Sequence, residues 1–113
     1  MEMDRIIRQA ILPVVPICDP NTYEGEEQTY CVFDYAIIPW TYADGAPISF
    51  NYSTQVHLYL PIGKNPSSLI AGIMHALPAS GLPVPEVTNA SNDASQHYVF
   101  DFSHIVYEGE VSP

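Results

Sequence analysis

Apolar and polar side chains alternate without a break along residues 48–60, and this stretch contains no charged residue. Alternation with a period of two is typical of a β-strand that has one face on a protein core. The apolar positions, which predict the buried face, are Ile48, Phe50, Tyr52, Thr54, Val56, Leu58 and Leu60. The polar positions, which predict the other face, are Ser49, Asn51, Ser53, Gln55, His57 and Tyr59. Strands are usually about 5 to 6 residues long, so the length of this one needs an explanation.

A second strand is predicted over residues 30–40, where β-branched and aromatic residues are dense. Pro39 either ends this strand or marks it as an edge strand, because proline has no N–H to donate to a neighbouring strand. Asp44 and Gly45 form a strong turn signal between the two strand patterns. We therefore expect a hairpin of two long antiparallel strands around this turn.

Two other segments follow the helical period. The first begins at Asp4, a predicted N-cap, and ends at Pro13. Its apolar stripe consists of Ile6, Ile7, Ala10 and Ile11. The second begins with Asn65 as N-cap and Pro66 as the first helical residue, and it ends at Pro78. Its apolar stripe consists of Leu69, Ile70, Ile73, Met74 and Leu77.

The remaining chain predicts two further strands and a loop. The prolines in residues 82–87 favour a short edge strand there, and residues 97–110 alternate again as a closing strand. The acid-rich stretch before residue 30 is predicted to be a loop, which includes residues 19–29. This order predicts one α+β domain over residues 1–113, with two helices packed on one face of a mainly antiparallel sheet of about four strands.

The charge balance narrows the range of partners. The chain has 113 residues, with 13 carboxylates against three lysines and arginines, for a formal net charge of -10. Binding to a phosphate backbone needs clustered basic residues, so specific nucleic-acid binding is not expected. No apolar run approaches the length of a membrane span, and no membrane contact is expected. Cys18 and Cys31 lie in apolar surroundings, which predicts two buried thiols rather than a disulfide framework.

No motif for catalysis, metal binding or a cofactor is present. The sequence has no HExxH, CxxC or GxSxG pattern and no glycine-rich phosphate loop. His97 and Asp101 share one strand face by parity, and His57 is expected opposite them on a neighbouring strand. An enzyme that uses these three residues remains an open alternative, but we expect a non-enzymatic protein without cofactor or metal.

Aromatic side chains point instead to an interaction surface. Trp40 and Tyr42 flank the predicted turn, and the chain contains eight tyrosines. Tyrosine and tryptophan are enriched at protein interfaces, because they combine a large contact area with a polar group. The candidate interface residues are Trp40, Tyr42, Asp44, Gly45, Ser49, Asn51, Ser53, Gln55, His57 and Tyr59.

The order of these segments resembles a known family. The segments are an N-terminal helix "RIIRQAIL", a strand "YCVFDY", a hairpin through "YADG", a long strand that leads into a helix in "STQVHLYLPIGKNPSSLIAGIMHAL", and a final strand "HYVFDFSHIVYEGE". In this order, and in a Q-V-x-L-Y strand before a helix, the chain resembles the tail-terminator or tail-completion proteins of long-tailed bacteriophages and prophages. The resemblance covers nearly the whole chain.

The resemblance implies a structural role in the virion. Such proteins assemble as a ring, commonly a hexamer, on the end of the tail tube, where they stop polymerisation of the tube protein. The ring then offers a docking face to the connector or head-completion protein, and DNA passes through without specific binding. The implied location is the tail end or neck of the virion, with assembly in the host cytoplasm.

Two alternatives remain open beside the enzyme. A head–tail joining protein of the neck has the same kind of role and is not separated from a tail terminator by these residues. A small acidic domain that binds a basic protein would use the carboxylates as its binding surface.

Overall fold

The computed structural model describes residues 3–107, which form two helices and one mixed five-stranded sheet. The elements are α1 (Met3–Ile11), β1 (Cys18–Pro20), β2 (Tyr30–Ala43), β3 (Ala46–Leu60), α2 (Ser67–Ala79), β4 (Glu86–Asn89) and β5 (Gln96–Tyr107). The strand order is β1-β2-β3-β5-β4. β1 runs parallel to β2, and the other neighbouring pairs are antiparallel. The predicted α+β class is confirmed.

Two short strands differ from the sequence prediction. The sequence predicts a loop where β1 forms, because three residues are too few to show a strand period. β4 begins at Glu86 rather than at residue 82, since Pro83 and Pro85 have no N–H groups for a strand ladder. The predicted end of the last strand, residues 108–110, lies outside the described residues.

The start of α1 corrects a predicted cap. Asp4 lies inside the first turn of α1 instead of preceding the helix. Its carboxylate accepts a hydrogen bond from the hydroxyl of Tyr35 on β2. Asp4 therefore ties α1 to the sheet, and its negative charge also lies at the favourable end of the helix dipole.

The start of α2 lies one residue later than predicted. The helix begins at Ser67 with Pro66 as N-cap, whereas the sequence predicts Asn65 as N-cap and Pro66 as the first helical residue. The Oδ1 atom of Asn65 accepts a hydrogen bond of 3.0 Å from the N–H of Ser67. Pro78 lies within the last turn rather than after it. Gly81 then takes a positive φ of 89°, which lets the chain reverse after the helix.

The hydrophobic core lies between the helices and one face of the sheet. Both helices contribute to one continuous cluster, which also receives alternate side chains of β2, β3 and β5. Fully buried members include Ile7, Ile11, Phe33, Val56, Leu58, Ile73, Leu77 and Phe100. The two cysteines belong to the same cluster as adjacent partners in β1 and β2. Both thiols are free, and burial raises the pKa of Cys18 to about 12.

The hairpin of β2 and β3 extends beyond this core and makes the molecule elongated, at 54 × 25 × 25 Å. We call residues 36–51 the hairpin arm. In β2 the buried positions are confined to Cys31–Phe33, which is also the only part that β1 covers. Beyond Phe33 β2 is an edge strand, so the predicted edge role of Pro39 is confirmed.

The arm also corrects one predicted core residue. Ile48 belongs to the apolar alternation of β3, yet it is 36% exposed. The pairing of the two strands is irregular between Pro39 and Tyr42, where Thr41 lies opposite Ser49, and it returns to its register on both sides. A bulge of this kind increases local twist, so strict alternation no longer predicts which side chain is covered.

Candidate interaction surface

The outer face is the face of the sheet opposite the helices, formed by the polar positions of β3 and their partners in β2 and β5. Because paired residues in an antiparallel sheet share a face, each position of β3 has two neighbours there. Tyr59 lies between Tyr30 and His97, while Asn51 lies between Ile38 and Ile105. The outer face therefore changes from aromatic at one end to aliphatic at the arm.

The ten candidate interface residues take three kinds of position. Trp40 and Tyr42 are 54% and 61% exposed on the arm. Asp44 and Gly45 form the turn with φ values of 53° and 78°, and positive φ at both central residues matches a type I′ hairpin. The remaining six residues lie along β3, where Ser53 and Gln55 are exposed, His57 and Tyr59 are half-buried, and Ser49 and Asn51 are buried.

Ser49 and Asn51 are covered within their own chain, which the alternation of polar residues does not predict. The hydroxyl of Ser49 lies 2.6 Å from Thr41 Oγ1 and also accepts a hydrogen bond from the N–H of Thr41. Asn51 differs, because its Oδ1 atom is buried and has no hydrogen-bond partner among the described residues. A buried polar atom without a partner costs about 1–3 kcal/mol, so Asn51 is an unusual choice for a strand position.

The outer face also brings the predicted histidines together. His57 Nδ1 lies 2.9 Å from His97 Nε2, and His57 Nε2 lies 3.3 Å from Asp34 Oδ2. The neutral arrangement that satisfies both contacts has His97 donating to His57 and His57 donating to Asp34. Asp101 is not part of this group, because its carboxylate accepts a 2.9 Å hydrogen bond from Gln55. The three residues of the enzyme alternative therefore do not form one cluster, because the carboxylate beside His57 is that of Asp34 and not that of Asp101.

Asp34 is not expected beside the histidines from the sequence, because its contact with His57 is a diagonal one. Asp34 and His57 are not direct partners; His57 pairs with Val32, and Asp34 pairs with Gln55. A diagonal contact on one sheet face is within reach of long side chains. The Asp44–Gly45 turn sets the register that brings the two residues near each other, but a diagonal contact between two strands leaves no pattern in the sequence.

An aromatic row continues from the histidines to the end of the sheet. The ring centroids of His97 and Tyr59 are 4.2 Å apart, those of Tyr59 and Tyr30 are 5.0 Å apart, and those of Tyr30 and Tyr23 are 4.7 Å apart. Burial, with a smaller contribution from Tyr30, raises the pKa of Tyr59. Burial and the neighbouring His57 lower the pKa of His97. Both shifts favour the neutral forms of Tyr59 and His97.

We expect the free energy of unfolding to fall as pH drops below about 6.5, the ordinary pKa of histidine. His97 has a lowered pKa when folded, so the unfolded chain binds more protons in this range and acid favours unfolding. Urea unfolding at pH 7.5 and pH 5.5 measures the effect. His97→Gln should lose less stability between the two pH values than the unsubstituted chain. His75→Gln, at an exposed position of α2, is the control and should lose as much stability as the unsubstituted chain. Equal losses in all three proteins would contradict this role of His97.

The described residues show neither a metal-binding group nor a membrane-spanning helix. Within residues 3–107, no three or more His, Cys, Asp or Glu side chains are grouped so as to hold a metal ion. No helix in this part of the chain has both the length and the apolar character that crossing a membrane requires. Comparison with protein-family models, with curated proteins and with solved structures finds no match.

Proposed function

We propose that this protein is a structural subunit of a phage or prophage tail, which assembles as a ring on the end of the tail tube. The ring ends polymerisation of the tube and presents a docking face to the head connector. The order of elements supports this proposal, together with one observation that carries it: the hairpin arm extends beyond the core and exposes apolar side chains.

The exposed side chains of the arm are suited to contact another subunit. Ile37 and Ile38 are 52% and 43% exposed, in addition to Trp40 and Tyr42. Asp44, at the turn, is the one charged residue among residues 36–51. An apolar surface with so little charge has a low cost of desolvation, and tryptophan and tyrosine often dominate the energy of an interface.

The geometry of the arm also suits a closed assembly. In the proposed ring the arm of one subunit contacts a different surface on its neighbour, which is a head-to-tail interface. Such interfaces close into a ring when a whole number of the rotations between neighbouring subunits adds up to a full turn. Beyond Phe33 no strand of residues 3–107 pairs with the outer edge of β2, and an edge of this kind can pair with a strand of a neighbour.

Asn51 lies at the base of the arm but is not accessible to a neighbour. Its Oδ1 atom is buried by its own chain and has no hydrogen-bond partner among the described residues. A donor on another subunit cannot reach it, so the unsatisfied acceptor is a cost within the single chain.

We expect Asn51→Val to stabilise the isolated subunit. Valine favours strands and removes the buried, unsatisfied oxygen, so the free energy of unfolding should rise by about 1 kcal/mol. Urea unfolding measures this effect. A loss of stability would show that the Asn51 oxygen has a partner in the folded chain.

The experiment that tests the function itself uses tail tubes assembled in vitro. Adding the protein to polymerising tube protein should shorten the tubes, and electron microscopy should show a ring at one end of each tube. Tubes that grow to the same length with and without the protein would exclude a terminator. Binding to the head connector without any effect on tube length would identify a neck protein instead.

A further inference from the structure

The hairpin arm has a third strand, β5, along one side, and part of the outer edge of β5 is open. β4 pairs with β5 only from Tyr98 to Asp101, so no strand of residues 3–107 covers the far side of β5 over residues 102–106. A cavity of about 320 Å³ lies at this edge, beside the first residue of β4, and Ser103 is among the residues that line it. The arm therefore lies between two open edges in the described chain, one on β2 and one on β5.

Backbone groups of β5 point outward along its open edge. The carbonyl of His97 accepts a 2.7 Å hydrogen bond from the N–H of Ala90, on the side of β4. Backbone groups of residues two apart in a strand point to the same side, so those of Ser103 and Ile105 point to the open side. Residues 102–106 contain no Asp, Glu, Lys, Arg or Pro, which are residues that commonly protect an edge. This edge is suited to pairing with another strand.

The open edge of β2 can supply that strand. The carbonyl of Phe33 accepts a 2.8 Å hydrogen bond from Asn21 on the outer side of β2, so the backbone groups of Ile37 point outward by the same rule. Pro39 has no N–H and limits the stretch that can pair. Although the chain has a net charge of -10, residues 36–43 contain no Asp, Glu, Lys or Arg, so the two edges approach without repulsion between them.

We propose that the open edge of β5 in one subunit pairs with the open edge of β2 in the next subunit. This contact rests on the ring proposed above and names the surface of the neighbour that the arm meets. Within one chain β2 and β5 run in the same direction, because both are antiparallel to β3. Arms that lie side by side and point the same way therefore pair in parallel.

The level of the two strands in the arm gives the register. Ile37 and His104 both pair with Tyr52 in one chain, so they lie at the same level. For arms that lie along the axis of a ring, the rotation between subunits keeps this level unchanged. Ile37 of one subunit then lies opposite His104 of the next.

Side chains and backbone groups match in this register. Ile38 and Ile105 lie on the outer face, on either side of Asn51. The pairing places Ile38, which is 43% exposed in the single chain, beside Ile105 of the next subunit on the same face. The N–H of Ile37 donates to the carbonyl of Ser103, and the carbonyl of Ile37 accepts from the N–H of Ile105. The aliphatic end of the outer face thus continues from one subunit to the next.

Disulfide cross-linking of a double variant, Ile37→Cys with His104→Cys, tests this pairing. Adjacent strands lie about 4.8 Å apart, which suits a disulfide, whereas the same two positions in one chain are two strand spacings apart, about 10 Å, which is too far. Oxidation should therefore link subunits, and a gel without reductant should show a ladder that ends at the closed ring. Cys18 and Cys31 are buried in the core and should not take part.

A second double variant, Ile62→Cys with His104→Cys, is the matched control. Ile62 is also exposed but lies at the opposite end of β3 from the arm. Cross-linking should be at least about tenfold faster in the first variant, because contact raises the effective concentration of the two thiols to about the mM range. Equal rates would overturn the pairing. Fast dimer formation by His104→Cys alone would show that β5 meets β5 and would overturn it as well.

The outcomes separate this contact from the proposed function. A first variant that assembles in sedimentation velocity but cross-links no faster than the control would overturn the edge pairing and leave the ring in place. Cross-linked rings that leave the length of tail tubes unchanged would support the edge pairing and contradict a terminator. A monomer at every concentration would contradict both.

Discussion

Ile37→Asp is expected to weaken self-association at least tenfold while the subunit remains folded. Ile37 is 52% exposed on the arm, and an aspartate there would have to lose its water in the contact with a neighbour. Removing a hot-spot residue at the centre of an interface costs about 2 kcal/mol or more of binding, which is a factor of about thirty. Sedimentation velocity measures the dissociation, and urea unfolding measures the fold.

Ile62→Asp is the matched control for this prediction. Ile62 has nearly the same exposure, 58%, but it follows β3 at the opposite end from the arm. Both substitutions should change the free energy of unfolding by about 1 kcal/mol or less, because both positions face solvent in the single chain. If the two variants weaken assembly equally, the arm is not the contact.

Phe100→Ala should cause the largest loss of stability of any substitution discussed here, about 3–5 kcal/mol. Phe100 is fully buried on β5, paired with Val56 of β3 on one side and Val87 of β4 on the other. Removing its ring leaves a cavity in the hydrophobic core, to which β2, β3, β5 and both helices contribute side chains. Domains of this size have a total stability of about 5–15 kcal/mol, so the variant would be close to unfolding.

Val87→Ala is the control for the core. Val87 pairs with Phe100 but is 40% exposed, so its truncation should cost about 1 kcal/mol or less. Urea unfolding of both variants checks the difference. A loss below about 1 kcal/mol for Phe100→Ala would contradict the assignment of the core to the helix-covered face.

Long periodic segments account for most of the fold that the sequence predicts. The alternation in β3 identifies its buried face from Tyr52 to Leu60, and the helical stripes identify both helices. These predictions succeed because a repeated pattern over many residues reports which face meets the core. β1 has no such pattern, since it is held by parallel pairing to β2 and not by any feature of its own three residues.

The candidate surface is less predictable, because it depends on long-range geometry. His57 and His97 are correctly expected to meet, since parity places both on one face. Asp34 and Tyr23 are missed, because the contact of Asp34 with His57 is diagonal across two strands and the position of Tyr23 depends on the path of an irregular loop. Ile48 and Ser49 exchange their expected exposures beside the irregular pairing of the arm, and alternation contains no information about such an irregularity.

The most direct test of the central claim is the mass of the protein in solution as its concentration rises. We predict a shift from the 12.5 kDa subunit to one closed species of several times that mass, with no continued growth. Ile37→Asp should remain a monomer under the same conditions, and Ile62→Asp should assemble. A species of 12.5 kDa at every concentration up to about 1 mM, where contacts of about 4 kcal/mol become visible, would contradict assembly through the hairpin arm.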